Sequence, residues 1–169
     1  MSKQPSHMTI LRKIFKAIDI DTVLEFGTGL ISTPFFIDRC KSVVSVEQQD
    51  RRFHQMAQVL HEEYQHLLPL LLLGPGRGSE WLASADDVYD LVLVDGHSQA
   101  RYRDVNEAFS HTEIIVAHDT EDKRYSWEKI VVPEGWQIVE CTAAPIHTTV
   151  WTKRAEVVDA LTAKKKENE

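Results

Sequence analysis

The chain has 169 residues, of which 43% are hydrophobic and 27% are charged, and its formal net charge is −7. This composition is typical of one globular domain with a proper core. The acidic balance disfavours broad electrostatic binding to nucleic acid or anionic lipid. Its two cysteines, Cys40 and Cys141, are isolated, so neither a disulfide framework nor a cysteine zinc site is expected.

The N-terminal segment MSKQPSHM lacks the apolar core of a secretion signal. The longest aliphatic run, residues 67–73, is much shorter than the roughly 20 residues that a membrane-spanning helix needs. We therefore expect a cytoplasmic protein with no membrane partner.

Apolar runs alternate with amphipathic segments along the chain, which indicates strands that alternate with helices. The spacing predicts helices over residues 8–19, 32–39, 50–65, 79–85, 99–109 and 121–130. It predicts strands over residues 22–27, 42–48, 67–73, 89–97, 113–119, 135–142 and 147–153. A single domain is expected over residues 1–153, followed by a charged C-terminal tail over residues 154–169, whose last part, residues 162–169, is predicted to be frayed.

Strands that alternate with helices predict a parallel sheet with both faces covered. The last two predicted strands have only a short connection, and a parallel crossover needs a dozen residues or more. The predicted fold is therefore α/β, with a doubly wound, mostly parallel, seven-stranded sheet and one antiparallel strand near the C-terminus. Ligands of such sheets bind beyond the carboxyl ends of the strands.

Polar clusters follow four of the predicted strands directly. They are residues 25–33, 47–49, 95–97 and 118–120. Because the carboxyl ends of parallel strands meet at one edge of a sheet, these clusters are expected to form a single site.

The first cluster contains a glycine turn whose pattern favours one class of cofactor. Gly27 and Gly29 permit a sharp turn and a close approach of the backbone. The dinucleotide fingerprint requires a glycine or alanine where Ser32 stands, and a diphosphate disfavours an acid such as Glu25 just before the turn. The carboxylate suits the cationic sulfonium and ammonium of S-adenosylmethionine better. Glu47 follows at the spacing of a ribose-binding acid, which both classes of cofactor share.

Several segments together resemble the successive motifs of class I S-adenosylmethionine-dependent methyltransferases. They are LEFGTG with a following ST, VVSVEQQD, LVLVDGHSQARYRDV, IIVAHDT and HTTVWTK. The resemblance spans residues 8–153, implies the Rossmann-like methyltransferase fold, and is strongest for small-molecule enzymes with DG-H and HDT motifs. There are two departures. Ile31 stands where many members have a third glycine, and the segment LLLLGPGRG lacks the acid that in many members contacts the adenine amine.

The resemblance implies that the glycine turn and the second strand end line the cofactor. Ser32 and Thr33 would meet its methionyl carboxylate, and Asp95 would lie near the sulfonium. The implied cofactor-binding residues are Glu25, Phe26, Gly27, Thr28, Gly29, Ser32, Thr33, Glu47, Gln48 and Asp95.

Methyl transfer requires that the protein hold the acceptor and remove one proton. His118, Asp95 and His97 are the catalytic candidates, and His118 is preferred as base because it directly follows a buried strand. In several related O-methyltransferases, acids after strands four and five hold Mg²⁺. Asp95 and Asp119 are the corresponding metal candidates. Capping of the next helix is an alternative role for Asp119.

Arg101, Tyr102 and Arg103 are expected on an exposed helix face, with orientation of an anionic substrate as the alternative. The sequence thus predicts methyl transfer to an oxygen or nitrogen atom of a small or medium-sized molecule, not a nucleic acid. The leading helix, the loops after strands four and five and, in one alternative, a second subunit of a homo-oligomer would recognise the acceptor. A non-catalytic cofactor-binding protein and an aminopropyltransferase remain alternatives.

Overall fold

The computed structural model describes residues 6–63, 70–72, 77–96, 99, 101–142 and 146–163. Its strands are β1 (Thr22–Phe26), β2 (Ser42–Glu47), β3 (Leu70–Leu72), β4 (Leu91–Val94), β5 (Ile114–His118), β6 (Gln137–Cys141) and β7 (Thr148–Thr152). Its α-helices are α1 (Ser6–Ala17), α2 (Ser32–Ile37), α3 (Asp50–Glu63), α4 (Gly78–Ala83), α5 (Arg101–Ala108) and α6 (Ala155–Thr162). Among these described residues, no helix is long and apolar enough to cross a bilayer.

The strands form one seven-stranded sheet in the order β3-β2-β1-β4-β5-β7-β6. Pairing is parallel from β3 across to β5. β7 runs antiparallel to both of its neighbours, β5 and β6. The prediction of a mostly parallel sheet with one antiparallel strand near the C-terminus is therefore confirmed.

The strand order reverses between β1 and β4, since the chain first extends the sheet from β1 through β2 to β3 and then returns to the other side of β1. Such a reversal opens a crevice at the carboxyl ends of the two central strands. The polar clusters after β1, β2, β4 and β5 all lie at this edge of the sheet.

Helix α1 packs against the sheet because its apolar residues recur at helical spacing. Met8, Leu11 and Ile14 are fully buried in a cluster that also contains residues of β1, β4, β5 and β7. Burial of each such side chain contributes about 1.5–3 kcal/mol. This packing fixes the start of α1 next to the carboxyl end of β5.

Residues 154–169, which the sequence assigns to a charged tail, instead begin with a helix. Helix α6 begins at Ala155 and ends at Thr162. Val157 and Leu161 lie four residues apart, so they share one helix face, and both are buried in the same cluster as α1. These two apolar residues anchor the helix to the core. The many charged residues of the segment made the helix hard to predict from the sequence.

The predicted helix over residues 121–130 is also wrong. The structure has two short 3₁₀ turns there, Lys123–Tyr125 and Trp127–Lys129, neither of which contains a buried residue. Ser126 separates them in the left-handed conformation, with φ 56°. The Asp122 side chain accepts a hydrogen bond from the Arg124 amide and so caps the first turn. Without a buried apolar face, the segment has no reason to form a longer helix.

The remaining boundaries differ from the predicted ones by a few residues. Strand β3 covers residues 70–72 of the predicted 67–73, and the other four positions lie outside the described residues. Helix α2 begins at Ser32, and its N-cap residue is Ile31, which makes no side-chain cap. Neither Ser32 nor Thr33 caps this helix, because their hydroxyls bind another partner, described below.

Candidate active site

The ends of β1 and β4 meet backbone to backbone at the glycine turn. Gly27 has φ 92°, and a Cβ on it would lie 2.5 Å from the Cα of Gly96. The amide of Gly27 donates to the carbonyl of Val46 at 2.7 Å, and the amide of Asp95 donates to the carbonyl of Phe26 at 2.8 Å. Only glycine satisfies both the positive φ and this close approach. The turn is therefore held rigidly between the ends of β2 and β4.

Glu25 lies beneath the turn and is fully buried. Its carboxylate accepts hydrogen bonds from the hydroxyls of Ser32, Thr33 (2.6 Å) and Ser45 (2.7 Å). Burial raises the pKa of Glu25 to about 7, although the three hydrogen bonds oppose this change. The Thr33 hydroxyl also accepts a hydrogen bond from the Gly29 amide at 2.9 Å. Glu25, Ser32 and Thr33 thus form a buried network that supports the turn.

Glu47 ends β2, and its carboxylate is likewise held in place. It accepts hydrogen bonds from the amides of Gln48 (2.7 Å) and Gln49 (2.8 Å) and from the hydroxyl of Thr28 (2.7 Å). Arg52 lies 3.5 Å from the oxygen that Thr28 contacts. Phe26, in contrast, buries its ring in the core, so only its backbone reaches the site.

Gln48 carries a buried amide group at the same edge of the sheet. Its side chain is 3% exposed, and neither Nε2 nor Oε1 has a hydrogen-bond partner among the described residues. A buried amide without partners costs on the order of 1–3 kcal/mol per polar group. Its Oε1 lies over the end of β4, since a Cβ on Gly96 would come within 3.3 Å of it. This buried donor and acceptor lie at the edge of the sheet where the polar clusters meet.

Arg101 joins the ends of β4 and β5. Its guanidinium donates to the carbonyl oxygens of Gly96 (2.6 Å), His118 (2.8 Å) and Asp95 (3.3 Å). Its nitrogen atoms also lie 3.5 Å from the Asp95 carboxylate and 3.3 Å from that of Asp119. One buried cation therefore fixes two strand ends and balances two acids.

The expectation of an exposed face is thus wrong for Arg101, which is 3% exposed, although Arg103 is exposed. The guanidinium of Arg101 lies 4.0 Å from the ring centre of Tyr125, within the range of a cation–π contact. The arginine is the first residue of α5, and the strand-end carbonyls take up its hydrogen bonds. Its sequence neighbourhood, which is rich in charge, gives no sign of this burial.

His118 ends β5 next to two carboxylates. Its Nδ1 lies 3.2 Å from Oδ1 of Asp95 and 3.4 Å from Oδ1 of Asp119. Burial opposes protonation of His118, but the hydrogen bond to Asp95 and the charges of both acids outweigh it and raise its pKa. Burial likewise opposes ionisation of Asp95, yet the contact with His118 and the Arg101 charge lower the pKa of Asp95. Asp95 and His118 therefore form a hydrogen-bonded acid–imidazole pair.

Asp119 has φ 59°, the left-handed conformation that is rare for residues other than glycine. This conformation lets its carboxylate turn back toward His118 and Arg101. Asp122, and not Asp119, caps the following 3₁₀ turn. Strained backbone of this kind clusters at functional sites.

The structure adds His7 to the site, a residue that the sequence interpretation missed. His7 lies on α1, is 5% exposed, and has no hydrogen-bond partner for its Nδ1 among the described residues. Burial lowers its pKa to about 4. A signal was present in the sequence, because His7 precedes Leu11 and Ile14 by four and seven residues and so continues their helix face.

Ligand atoms of His7, Asp95 and His118 lie within 4.8 Å of one another, which is close enough to hold a metal ion. Two imidazole nitrogens suit a transition metal rather than Mg²⁺, which prefers oxygen ligands. The predicted Mg²⁺ pair, Asp95 and Asp119, instead shares the Arg101 guanidinium. The structure therefore gives no support to a magnesium site. His97, the third catalytic candidate, lies outside the described residues.

No family model and no curated protein sequence matches this chain. The fold of the chain does match solved structures. An rRNA methylase from Streptococcus thermophilus has a TM-score of 0.66 at 14% identity, over 90% of this chain and 98% of that chain. A precorrin-6y C5,15-methyltransferase from Geobacter metallireducens GS-15 has a TM-score of 0.69 at 12% identity, over 90% of each chain.

An O-methyltransferase from Bacillus cereus, solved in complex with SAH, has a TM-score of 0.67 at 12% identity, over 89% of this chain and 83% of that chain. Identities this low show a shared fold. This chain therefore has the fold of class I S-adenosylmethionine-dependent methyltransferases, as the sequence motifs predict.

Proposed function

We propose that this chain transfers the methyl group of S-adenosylmethionine to an oxygen or nitrogen atom of a small or medium-sized acceptor. The observation that carries the proposal is the convergence of Glu47, Gln48, Asp95 and His118 at one edge of a sheet with the methyltransferase strand order. The acidic net charge of the chain, −7, supports a small-molecule partner rather than a nucleic acid. The isolated cysteines of the chain support a cytoplasmic location.

The donor half of the proposed site lies over the ends of β1 and β2. Glu47 would accept hydrogen bonds from the ribose hydroxyls in place of the Thr28 hydroxyl, which now bonds to it at 2.7 Å. The turn from Gly27 to Gly29 would pass beneath the methionyl chain. Asp95, whose pKa is lowered even though burial opposes its ionisation, would place a negative charge near the sulfonium. When bound, the cofactor supplies a methyl group on a good leaving group.

The acceptor half lies at the ends of β4 and β5, beside α1. The proposed base is His118: in the tautomer whose Nδ1–H donates to Asp95, Nε2 would accept the proton that the acceptor loses. Asp95 fixes the ring orientation and stabilises the imidazolium that results. Arg101 holds both strand ends, so the pair keeps its geometry as charge moves.

Isothermal titration with S-adenosylmethionine, SAH and NADH tests the donor. We expect micromolar binding of the first two, no binding of NADH, and at least a tenfold loss of SAH affinity in Glu47→Ala, since a charge-assisted hydrogen bond is worth about 1.5–3 kcal/mol. The proposal would be overturned if the wild-type chain bound neither S-adenosylmethionine nor SAH. A preference for decarboxylated S-adenosylmethionine would instead favour aminopropyl transfer.

A further inference from the structure

We propose that the methyl acceptor is an amine that binds as its ammonium ion at Asp119, and that the methyl group is transferred to the nitrogen atom. The inference rests on the proposed function and narrows its acceptor, for which oxygen and nitrogen are otherwise both open. It starts from the charged atoms that a ligand can reach at the ends of β4 and β5.

The accessible charged groups at these strand ends are carboxylates. The side chain of Arg101 is 4% exposed, whereas those of Asp95 and Asp119 are 24% and 27% exposed. Every guanidinium nitrogen of Arg101 already has an acceptor in the protein, and its Cζ lies over the ring of Tyr125. An anionic group of a ligand would therefore meet two acids and no free donor of Arg101.

The net charge of these groups is negative. With His118 neutral, as a base must be, two acids and one arginine leave one negative charge. Burial holds the pKa of His7 at about 4, so its ring adds no positive charge near pH 7. Arg124, an exposed cation 6.0 Å from the Tyr125 ring, is paired with Asp122, with 2.9 Å between Nε and Oδ2. An ammonium ion would offset the remaining charge, and an alcohol would not, because opposite charges attract more strongly in a half-buried site than in water.

The two acids have separate roles in this arrangement. Asp95 is the acid proposed to lie near the sulfonium of the donor. Asp119, whose φ is 59°, directs Oδ1 to within 3.4 Å of Nδ1 of His118 and Oδ2 to within 3.3 Å of Arg101. The buried ring of His7 brings a nitrogen within 4.8 Å of Asp95 and His118, and its Nδ1 has no partner among the described residues. An ammonium ion bound to Asp119 would consequently lie beside His118, the proposed base.

Transfer to an amine balances in protons and in charge. The ammonium ion loses one proton to Nε2 of His118, and the lone pair that this frees forms the bond to the methyl carbon. The bond between that carbon and sulfur breaks, and its electron pair remains on the sulfur of SAH. The product is a methylated ammonium ion with a single positive charge, so Asp119 faces a cation before and after the step. The proton on His118 then passes to water.

Three ligands that share a ring and differ in charge test the inference: benzylamine, benzyl alcohol and benzoate. Each is titrated into the SAH complex of the wild type, Asp119→Asn and Asp159→Asn, with ligand-observed NMR as the readout. Asparagine tolerates the left-handed conformation, and Asp159, exposed on α6, supplies the matched control.

We expect the wild type and Asp159→Asn to bind benzylamine at least tenfold more tightly than benzyl alcohol, the effect of one charge-assisted hydrogen bond, and benzoate most weakly. Asp119→Asn should bind benzylamine about tenfold more weakly than the wild type and no better than benzyl alcohol. Thermal unfolding checks that this variant folds. If it does not, the comparison of the three ligands on the wild type decides.

The inference would be overturned by equal affinity of the wild type for the amine and the alcohol, by tighter binding of benzoate, or by no saturable binding of benzylamine. Unchanged benzylamine affinity in Asp119→Asn would also contradict it. The profile of methylated products is an independent check, since a methyl group on nitrogen supports the inference and one on oxygen contradicts it. Loss of SAH binding overturns the proposed function, whereas SAH binding without selectivity for the amine overturns this inference alone.

Discussion

The imidazole of His7 lies edge-on against that of His118, with ring centroids 4.4 Å apart and an angle of 70° between the planes. The contact joins α1 to the carboxyl end of β5. Burial lowers the pKa of His7 to about 4, whereas the pKa of His118 is raised by Asp95 and Asp119 against the effect of burial. Of the two rings, His118 is therefore the one suited to take a proton.

Replacing His118 should remove the proposed base without disturbing the donor site. We expect His118→Ala to lower the rate of methyl transfer by about 10²–10⁴-fold and to leave SAH affinity unchanged. Profiling of methylated products, compared with a variant in which Glu47 is replaced, identifies the acceptor, and SAH release then gives the rate. His54→Ala, at an exposed histidine of α3, is the control. Full turnover in His118→Ala would exclude His118 as the base.

Two variants of His7 should distinguish the contribution of the ring's shape to stability from the contribution of its buried Nδ1 atom. His7→Phe keeps a ring against His118 and removes both ring nitrogens, of which Nδ1 is buried without a hydrogen-bond partner among the described residues, so the free energy of unfolding should stay equal or rise by about 1 kcal/mol. His7→Ala leaves a cavity and should cost about 2 kcal/mol or more. Urea denaturation measures both. If the phenylalanine variant is as unstable as the alanine variant, the nitrogen has a partner that matters.

Arg101 should be intolerant of conservative change. Arg101→Lys keeps the charge but cannot donate to three carbonyl oxygens in the fork geometry of a guanidinium. We expect a loss of about 3 kcal/mol or more in the free energy of unfolding, because buried carbonyl oxygens are left without donors. Arg103→Lys, two residues along α5 and exposed, should change it by less than about 0.5 kcal/mol. Similar urea midpoints for the two variants would contradict this role.

Glu25 should make folding stability depend on pH. Its folded pKa of about 7 lies above the ordinary value of 4.5, so the folded state binds the proton more tightly. The stability it contributes is complete below about pH 4.5 and is lost as the pH rises through 7, a difference of about 3 kcal/mol at full extent.

Glu25→Gln keeps the shape and removes this titration. Urea denaturation at about pH 5 and about pH 8 should show a smaller decrease in stability for the variant than for the wild type. The variant should keep some decrease, because burial raises the pKa of Asp104 to about 7 as well. Equal decreases in both proteins would show that Glu25 is ionised throughout.

Much of the fold follows from patterns that local sequence carries. The alternation of apolar runs with amphipathic segments predicts β1, β2, β4 and β5 in order, because each strand is buried on both faces and ends in polar residues. The short connection before β7 predicts its antiparallel direction, since the chain has no room for a crossover. Helix α6 was missed because only two of its residues, Val157 and Leu161, are buried.

The site is less predictable because its contacts join residues that are distant in the chain. The spacing from Gly27 to Thr33 suggests a cofactor turn, but it does not reveal that Ser32 and Thr33 direct their hydroxyls to Glu25. Arg101 stands among polar residues and becomes buried only because three carbonyl oxygens converge on it. These arrangements depend on contacts between residues that are distant in the chain, and no regular spacing in one sequence indicates such contacts.

The hydrogen bonds from Arg101 to the backbone also affect how the site opens. Because one side chain donates to carbonyls at the ends of both β4 and β5, neither end separates from the sheet without breaking contacts with the other. The amides around residues 95–96 and 118–119 should therefore exchange with solvent deuterium together, as one cooperative unit.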